Sequence, residues 1–321
     1  MDQPMKKIAL LIYDGVTMLD VSGPAETLSR ADGYELTLLS PAGGSVTTAA
    51  GITLSETQPA AGVNPRDFNT VIIAGADELP MSPIPPALLD ATRHLADGPQ
   101  RVASVCTGAF ILAELGFLNG RRATTHWKNA QDLARRFPLV RVQPDTLHVH
   151  DGKYITSAGI TAGIDLSLSL IEEDQGAEVA RSIARDMVMF MHRPGGQSQF
   201  AAATHSPSVS NPILQKVLDT IRKQPGKQHT IAGLAEDAAV SPRHLGRLFR
   251  EELGTTPTSW LEQFRLSIAQ QLILDGNTVT AAARKSGFPS DDSMRRAFER
   301  RLRSTPSEYR ARFSSTFRSS V

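Results

Sequence analysis

A single cysteine stands among the 321 residues, and its setting is a chemical one. Cys106 closes an apolar, strand-like run, R-V-A-S-V-C (101–106), and a helical pattern of small and apolar residues opens immediately after it, T-G-A-F-I-L-A-E-L-G (107–116). A sulfur at a sharp strand-to-helix turn lies near backbone amides that stabilise a thiolate, which is the shape of a nucleophile elbow. The small residues Thr107, Gly108 and Ala109 suit a tight backbone turn. Catalytic thiol, redox switch and simple packing all remain open readings of Cys106.

A second group is cationic. Arg243, Arg247 and Arg250 lie on one side of a helical pattern whose other side is Leu245, Leu248, Phe249 and Leu253. Arg295, Arg296 and Arg300 repeat the arrangement opposite Met294, Phe298 and Leu302. Rows of guanidinium groups suit phosphates and guanine edges. His148 and His150 alternate on one strand at a metal-ligand spacing. No Cys, Asp or Glu completes a matching set, so they read as a surface hairpin, and neither a metal nor a cofactor is expected.

The elements that position these groups fall into two textures. In the first, short apolar runs ending at Gly, Pro or Asp (KKIALLIYDG, ELTLLSPAGG, TVIIAGAD, RVASVC) alternate with helical patterns (MLDVSGPAETLSRAD, PALLDATRHLADG, NAQDLARRF). That order implies an α/β parallel-sheet sandwich with helices on both faces. LHVHDGKYITSAG interrupts it with a hairpin turning at Asp151-Gly152, and two further helices follow. In the second texture, from Ile213 onward, only helical patterns occur. Between them HRPGGQSQFAAATHSPSVSNP lacks periodicity and reads as a linker. The expected organisation is a first domain over 1–192, a linker over 193–211 and an all-α domain over 212–321.

Charge separates the same two parts. Residues 211–321 carry 18 Lys and Arg against 11 Asp and Glu, although the net charge of the chain is only +1. A basic module on an acidic body points to a polyanion partner. One cysteine excludes an internal disulfide and suits a reducing cytoplasm. The basic N-terminus leads into an apolar run too short for a signal peptide, and no stretch is long and apolar enough to span a bilayer; a cytoplasmic protein without membrane contact is expected.

The basic part contains two helix-turn-helix units. In TIAGLAEDAAVSPRHLGRLFREELG, Thr230 caps a short helix, Ser241 caps the next with Pro242 in its first turn, and Gly254 ends it. In TVTAAARKSGFPSDDSMRRAFERRL, Gly287 turns the chain and Ser290 caps the second helix. A helix of about five turns, PTSWLEQFRLSIAQQLILDG, joins the units and would hold two reading heads for successive major grooves, about 34 Å apart. Trp260 belongs to its apolar face.

Residues 211–313 resemble the AraC/XylS family of transcriptional regulators through S-P-R-H-L-G-R-L-F-R (241–250), G-T-T-P (254–257), A-A-A-R-K-S-G-F (281–288), S-M-R-R-A-F (293–298) and T-P-S-E-Y-R (305–310). The resemblance places base-reading positions at Arg243, Gly246 and Arg247 in the first unit and at Asp291, Asp292, Ser293 and Arg296 in the second. Gly246 has no side chain to read a base. Asp291 and Asp292 would accept from cytosine N4 or favour the helix N-terminus. With Ser241, His244, Arg250, Ser290 and Arg295 these make up the expected DNA-binding set, His244 as a phosphate contact or plain surface.

Residues 6–190 resemble the PfpI-type branch of the class I glutamine amidotransferase-like superfamily, which implies a flavodoxin-like fold. The match rests on I-A-L-L-I-Y-D-G-V-T-M-L-D (8–20), V-I-I-A-G (71–75), S-V-C-T-G-A-F-I-L-A-E-L-G (104–116) and G-R-R-A-T-T-H-W (120–127). Joined to an AraC-type tail, and with R-P-G-G-Q-S-Q-F (193–200), the chain looks like the GlxA-type regulators. The protease branch puts a histidine directly after the cysteine, and here that position is Thr107; His126 is near in pattern but not equivalent. The superfamily's early acidic position falls on Asp20. An Asp-Cys-Thr set is also similar to the isonitrile hydratases, so an enzyme with a DNA-binding tail remains the alternative. Asp20, Cys106, Thr107, His126 and the amides of Gly75 and Ala76 form the candidate pocket, the amides as donors to an oxyanion or carboxylate. The implied function is a non-enzymatic, sequence-specific regulator of transcription. Its partners would be promoter DNA, a small effector such as an amino acid, a betaine or a related nitrogen compound, a second copy of the chain through the first domain, and RNA polymerase if it activates.

Overall fold

The computed structural model describes residues 5–189, 197, 209 and 211–313. The chain divides into two compact units, Met1–Gln197 and Ser198–Val321.

The first unit is built on an eight-stranded sheet. Its central strands are β1 (Lys6–Leu11), β2 (Tyr34–Ser40), β4 (Thr53–Pro59), β5 (Thr70–Ile73), β6 (Arg101–Val105) and β10 (Tyr154–Ser157), and they run parallel. Antiparallel strands close both edges: β3 (Gly44–Thr47) on β4 and β9 (His148–Asp151) on β10, the latter turning at Asp151-Gly152 as the sequence suggests. A separate two-residue pair joins β7 (Arg122–Ala123) to β8 (Arg141–Val142). Along the sheet the order is β3-β4-β2-β1-β5-β6-β10-β9. Alternate residues serve opposite faces. Ala9, Leu11, Val71 and Ile73 pack with α2 (Pro86–Leu95) and α3 (Gly108–Glu114), with α4 (Ala130–Arg136) adding Leu133. Ile8, Ile72, Ala103 and Val105 pack with α1 (Met18–Ser29), α5 (Ala162–Gln175) and α6 (Ala177–Asp186). This is the flavodoxin-like α/β sandwich expected. The polar strands β3, at the edge, and β4, next to it, are additions to it.

Successive strands leave β1 in opposite directions, β2 on one side and β5 on the other. At such a switch point the loops diverge, and a crevice opens at the carboxyl ends of the strands. Asp20 on α1, Gly75 after β5 and Cys106 after β6 all lie there. Pro24, inside α1, removes the amide that would bond to the Asp20 carbonyl and loosens the first turns of the helix that carries the acid.

The other end of the sheet is tied by charge. Asp174, whose side chain is 6% exposed, accepts from Lys6 Nζ at 2.5 Å, Arg101 Nη2 at 2.7 Å and the Tyr34 hydroxyl at 2.7 Å. Burial alone would raise its pKa, but these three donors and the Arg101 charge outweigh burial and leave it below the ordinary carboxylate value. Asp174→Asn should therefore destabilise the unit by on the order of 3 kcal/mol near neutral pH, because the partly buried cations lose the carboxylate that pairs them. A depressed folded pKa contributes stability above the ordinary carboxylate range and loses it as pH falls through the folded value. The difference in melting temperature between Asp174→Asn and the wild type should accordingly shrink toward strongly acid pH.

The second unit is entirely helical among its described residues: α7 (Pro212–Lys223), α8 (Ile231–Asp237), α9 (Pro242–Leu253), α10 (Pro257–Leu274), α11 (Val279–Lys285), α12 (Asp291–Leu302) and α13 (Pro306–Phe313). It has two cores. One gathers Leu218, Leu234, Leu245, Phe249 and Leu261; the other gathers Leu266, Ile273, Ala283, Met294 and Phe298. The 18 residues of α10, about 27 Å long, supply the first core from their N-terminal half and the second from their C-terminal half. Trp260 is part of the first core, stacked on Phe264 at 5.3 Å and edge-on to Phe249 at 5.9 Å.

Candidate functional site

Cys106 occupies the turn between β6 and α3 with φ +56°, the left-handed conformation that an elbow requires. Its amide donates to the Ser157 carbonyl at 3.1 Å, and its carbonyl accepts from the Thr125 hydroxyl at 2.8 Å. Gly159, at φ +91°, lies directly against it; a Cβ there would fall 2.1 Å from Cys106 Cβ. A Cβ on Gly75 would meet Asp20 Oδ2, Cys106 Cβ and the Thr107 nitrogen, each at 2.8 Å, so acid, thiol and helix start converge on one glycine. Two glycines thus let the segments after β5 and β10 close directly onto the acid and the thiol.

Asp20 is wholly buried. Its Oδ1 accepts from the Ile160 amide at 2.7 Å, while Oδ2 has no hydrogen bond of ordinary geometry and faces Cys106 and Gly75. Burial is the largest influence and, against the Ile160 and Gly75 amides and the thiol, raises its pKa from 3.8 to about 7. Burial, then the Asp20 charge, also pushes the Cys106 thiol well above its ordinary value, with the Thr107 amide opposing. Burial thus favours the uncharged form of both groups. The expected stabilisation by the α3 dipole loses to desolvation, and the exposure that a redox switch needs is absent: Cys106 is 3% exposed.

Of the two amides expected to receive an oxyanion, that of Ala76 is occupied. The Ala76 N–H donates to Thr107 Oγ1 at 2.9 Å, and that hydroxyl donates to the Ala76 carbonyl at 2.6 Å. The Gly75 amide faces Asp20. Thr107 therefore clasps the loop after β5 instead of standing in for a base. His126 accepts from the Lys128 amide at Nδ1, and burial followed by the Lys128 charge lowers its pKa. Its link to the cysteine runs through Asp77, which acts electrostatically on both. Tyr13, bonded to the Ala74 carbonyl at 2.9 Å, feels both Asp20 and Cys106. Asp77, Tyr13, Gly159 and Ile160 were not anticipated. A surface cleft of about 470 Å³ beside Phe117 and Tyr154 lies at the opposite end of β6 and β10 and does not include the thiol.

Asp20→Asn tests this electrostatic picture. The folded state holds a proton on Asp20 that the unfolded state releases between pH 3.8 and about 7, so stability falls as pH rises through that window. The variant should flatten this dependence and melt several degrees above the wild type at about pH 8, opposite in sign to Asp174→Asn.

Gln197 falls inside the stretch read as a linker, yet it is 2% exposed and belongs to the first unit. The two N–H groups of its Nε2 are shared among Thr124 Oγ1 and the carbonyls of Thr125, Pro144 and Thr146, all at 2.9–3.1 Å. It thereby sits behind the Thr125 hydroxyl that holds the Cys106 carbonyl. The rest of the R-P-G-G-Q-S-Q-F motif lies outside the described residues. His150 pairs with Glu173 at 2.9 Å and with Ser169, a hairpin anchored to α5.

In the second unit each head has its caps. The Ser241 hydroxyl accepts from the His244 amide at 3.1 Å, and the Thr230 hydroxyl from the Gly233 amide at 3.1 Å. Arg243, Arg247 and Arg250 are exposed on α9, as are Arg295, Arg296 and Asp292 on α12. Arg247 has only a loose contact with Glu251, 3.8 Å. Two proposed readers are otherwise engaged. Ser293 completes a capping box with Ser290, accepting from its amide at 3.0 Å and donating to its carbonyl at 2.7 Å. Asp291 accepts from the Thr280 hydroxyl at 2.5 Å, tying α12 to α11. Arg300 likewise bonds Glu262 of α10.

Residues 6–173 match the DJ-1/PfpI family, and residues 234–312 match a helix-turn-helix domain. The HTH-type transcriptional regulator CdhR of Pseudomonas aeruginosa is 32% identical over 88% of this chain and 83% of its own length. The HTH-type transcriptional regulator GlxA of Rhizobium meliloti is 26% identical over 96% of each. An isonitrile hydratase of Pseudomonas putida is 32% identical over 55% of this chain and 75% of its own length. Among solved structures, a ThiJ/PfpI family protein from Pseudomonas syringae superposes with a TM-score of 0.54 at 25% identity, covering 69% of this chain and 88% of that one.

Proposed function

The chain belongs to the DJ-1/PfpI family and ends in an AraC-type helix-turn-helix domain, which makes it a DNA-binding transcriptional regulator, and from that premise we propose that a small effector bound beside Asp20 and Cys106 governs its sequence-specific grip on promoter DNA. What carries the reading of the first unit is the buried acid with one unpartnered oxygen, set among glycines at the switch point of the sheet. A carboxyl whose pKa is raised to about 7, beside a thiol, offers a donor and an acceptor to a polar ligand without presenting a nucleophile. The amino acids, betaines and related nitrogen compounds remain the effector class to screen. Activation through RNA polymerase, a homodimer formed by the first unit and a cytoplasmic location complete the proposal; among the described residues no helix is long and apolar enough to cross a membrane.

The alternative, Cys106-dependent hydration or hydrolysis, has support in the likeness to the hydratase, but it needs a base able to take the thiol proton. Asp20 is too weak a base against a thiol whose pKa is raised well above its own. A thermal-shift screen of the full chain separates the readings. A compound that raises the melting temperature of the wild type but not of Asp20→Asn supports effector binding. Turnover of an isonitrile that vanishes in Cys106→Ser would establish the enzyme instead. For the second unit, equal competition by promoter and random duplexes in a gel-shift assay would defeat the sequence-specific reading.

A further inference from the structure

The two heads enclose a cleft of about 390 Å³ within the second unit. The first head contributes Thr230 and Ile231 at the start of α8, the second contributes Ser293 and Arg296 from the first turns of α12, and α10 forms the floor with Arg265. Arg296 is a proposed reader of the second head, so the cleft opens on the face that would meet DNA. In a helix-turn-helix the first helix lies across the sugar-phosphate backbone while the second enters the groove. A duplex engaged by both heads must pass a backbone segment between α8 of one head and α12 of the other, and that interval is the cleft.

Arg265 on the floor is unlike the other cations of the unit. Its Nη2 donates to the His229 carbonyl at 3.1 Å, and its Nε is buried without a partner. Burial alone lowers its pKa from the ordinary guanidinium value, and among the described residues no carboxylate opposes that. Glu262, the acid of the cleft, is already taken by Arg300 and Arg301, with Arg301 Nε at 2.7 Å. A half-buried guanidinium without a counter-charge is costly unless an anion arrives. We propose that this cleft receives the phosphodiester strand crossing between the two major-groove segments, with Arg265 as its phosphate-binding residue. The site carries no base preference of its own; it sets the register of the two heads on the duplex.

This rests on the DNA-reading role of both heads, and the experiment separates the two claims. The full-length protein is used to select a duplex from a random-sequence pool, and binding to that duplex is measured against salt concentration. Arg265→Gln should weaken binding several-fold and lower the slope of log K against log salt by about one unit, while Arg265→Lys retains the slope. Neutral methylphosphonates placed midway between the two footprinted grooves should weaken the wild type and leave Arg265→Gln unaffected. That second measurement stands even if the glutamine variant folds poorly, because it alters the DNA and reads the wild type. An unchanged slope, or a wild type indifferent to the central methylphosphonates, overturns the proposal. Failure to select any duplex would instead strike at the DNA reading itself.

Discussion

Replacing Gly159 by alanine is expected to dismantle the thiol site and to cost the first unit more than about 4 kcal/mol. The added Cβ would lie 2.1 Å from Cys106 Cβ, 2.5 Å from its Cα and 2.7 Å from its Sγ. The first two atoms cannot swing aside, and neither backbone is free to retreat. Cys106 is pinned at its amide by Ser157 and at its carbonyl by Thr125. The residue after Gly159 holds Asp20 through its amide. The φ of +91° adds a conformational penalty that glycine does not incur. Two measurements check this. The melting temperature of the first transition should collapse, and the thiol, slow toward a disulfide reagent in the wild type because it is buried and protonated, should react rapidly in the variant. A Gly159→Ala protein that melts within a degree of the wild type would show that the Cys106 turn is looser than its hydrogen bonds imply.

The penalty at Gly159 also shows which parts of the site the sequence can and cannot reveal. The strand-to-helix break at Cys106 is legible because an apolar run of strand length stops at a cysteine and small residues follow, and the left-handed φ there agrees. The wall opposite comes from S-A-G-I-T-A-G (157–163), about fifty residues later in the chain, and nothing local distinguishes it from an ordinary loop. Ile160 is the sharpest case. A β-branched residue at φ +51° contradicts local preference, and it is tolerated because its amide is held by a buried carboxylate. Amide availability is equally invisible: Gly75 and Ala76 sit where the pattern places them, but Thr107 has taken the Ala76 N–H and the Gly75 amide faces the Asp20 carboxyl.

The same division holds for the fold. β1, β5 and β6 are buried on both faces, so they read as continuous apolar runs. β4, T-L-S-E-T-Q-P, is mostly exposed near the sheet edge and carries no such signal. Its place is set by pairing with β2 and β3, a long-range fact. In the second unit nearly everything is local: caps, apolar faces and turn residues are written within each short helix. Even there, the left-handed Ala239, the Thr280–Asp291 bond and the spent hydroxyl of Ser293 appear only in three dimensions.

Those engaged side chains concentrate the proposed reading on the free arginines, and the second large effect follows from that. Arg247→Ala and Arg296→Ala should each weaken specific binding by about 1–3 kcal/mol, and the double variant by about 2–6 kcal/mol. The two residues belong to helices with separate cores, so neither substitution disturbs the packing behind the other, and near-additivity is the expectation for independent sites. Each single variant should lose protection at one major-groove segment and keep the other, because α10 continues to hold the unaltered head in place. If the energies fall well short of additive, the heads do not bind together, and one of them contributes only when the other is already seated. If both variants bind like the wild type with unchanged footprints, α9 and α12 are not the reading helices, and the exposed arginines are solvated surface.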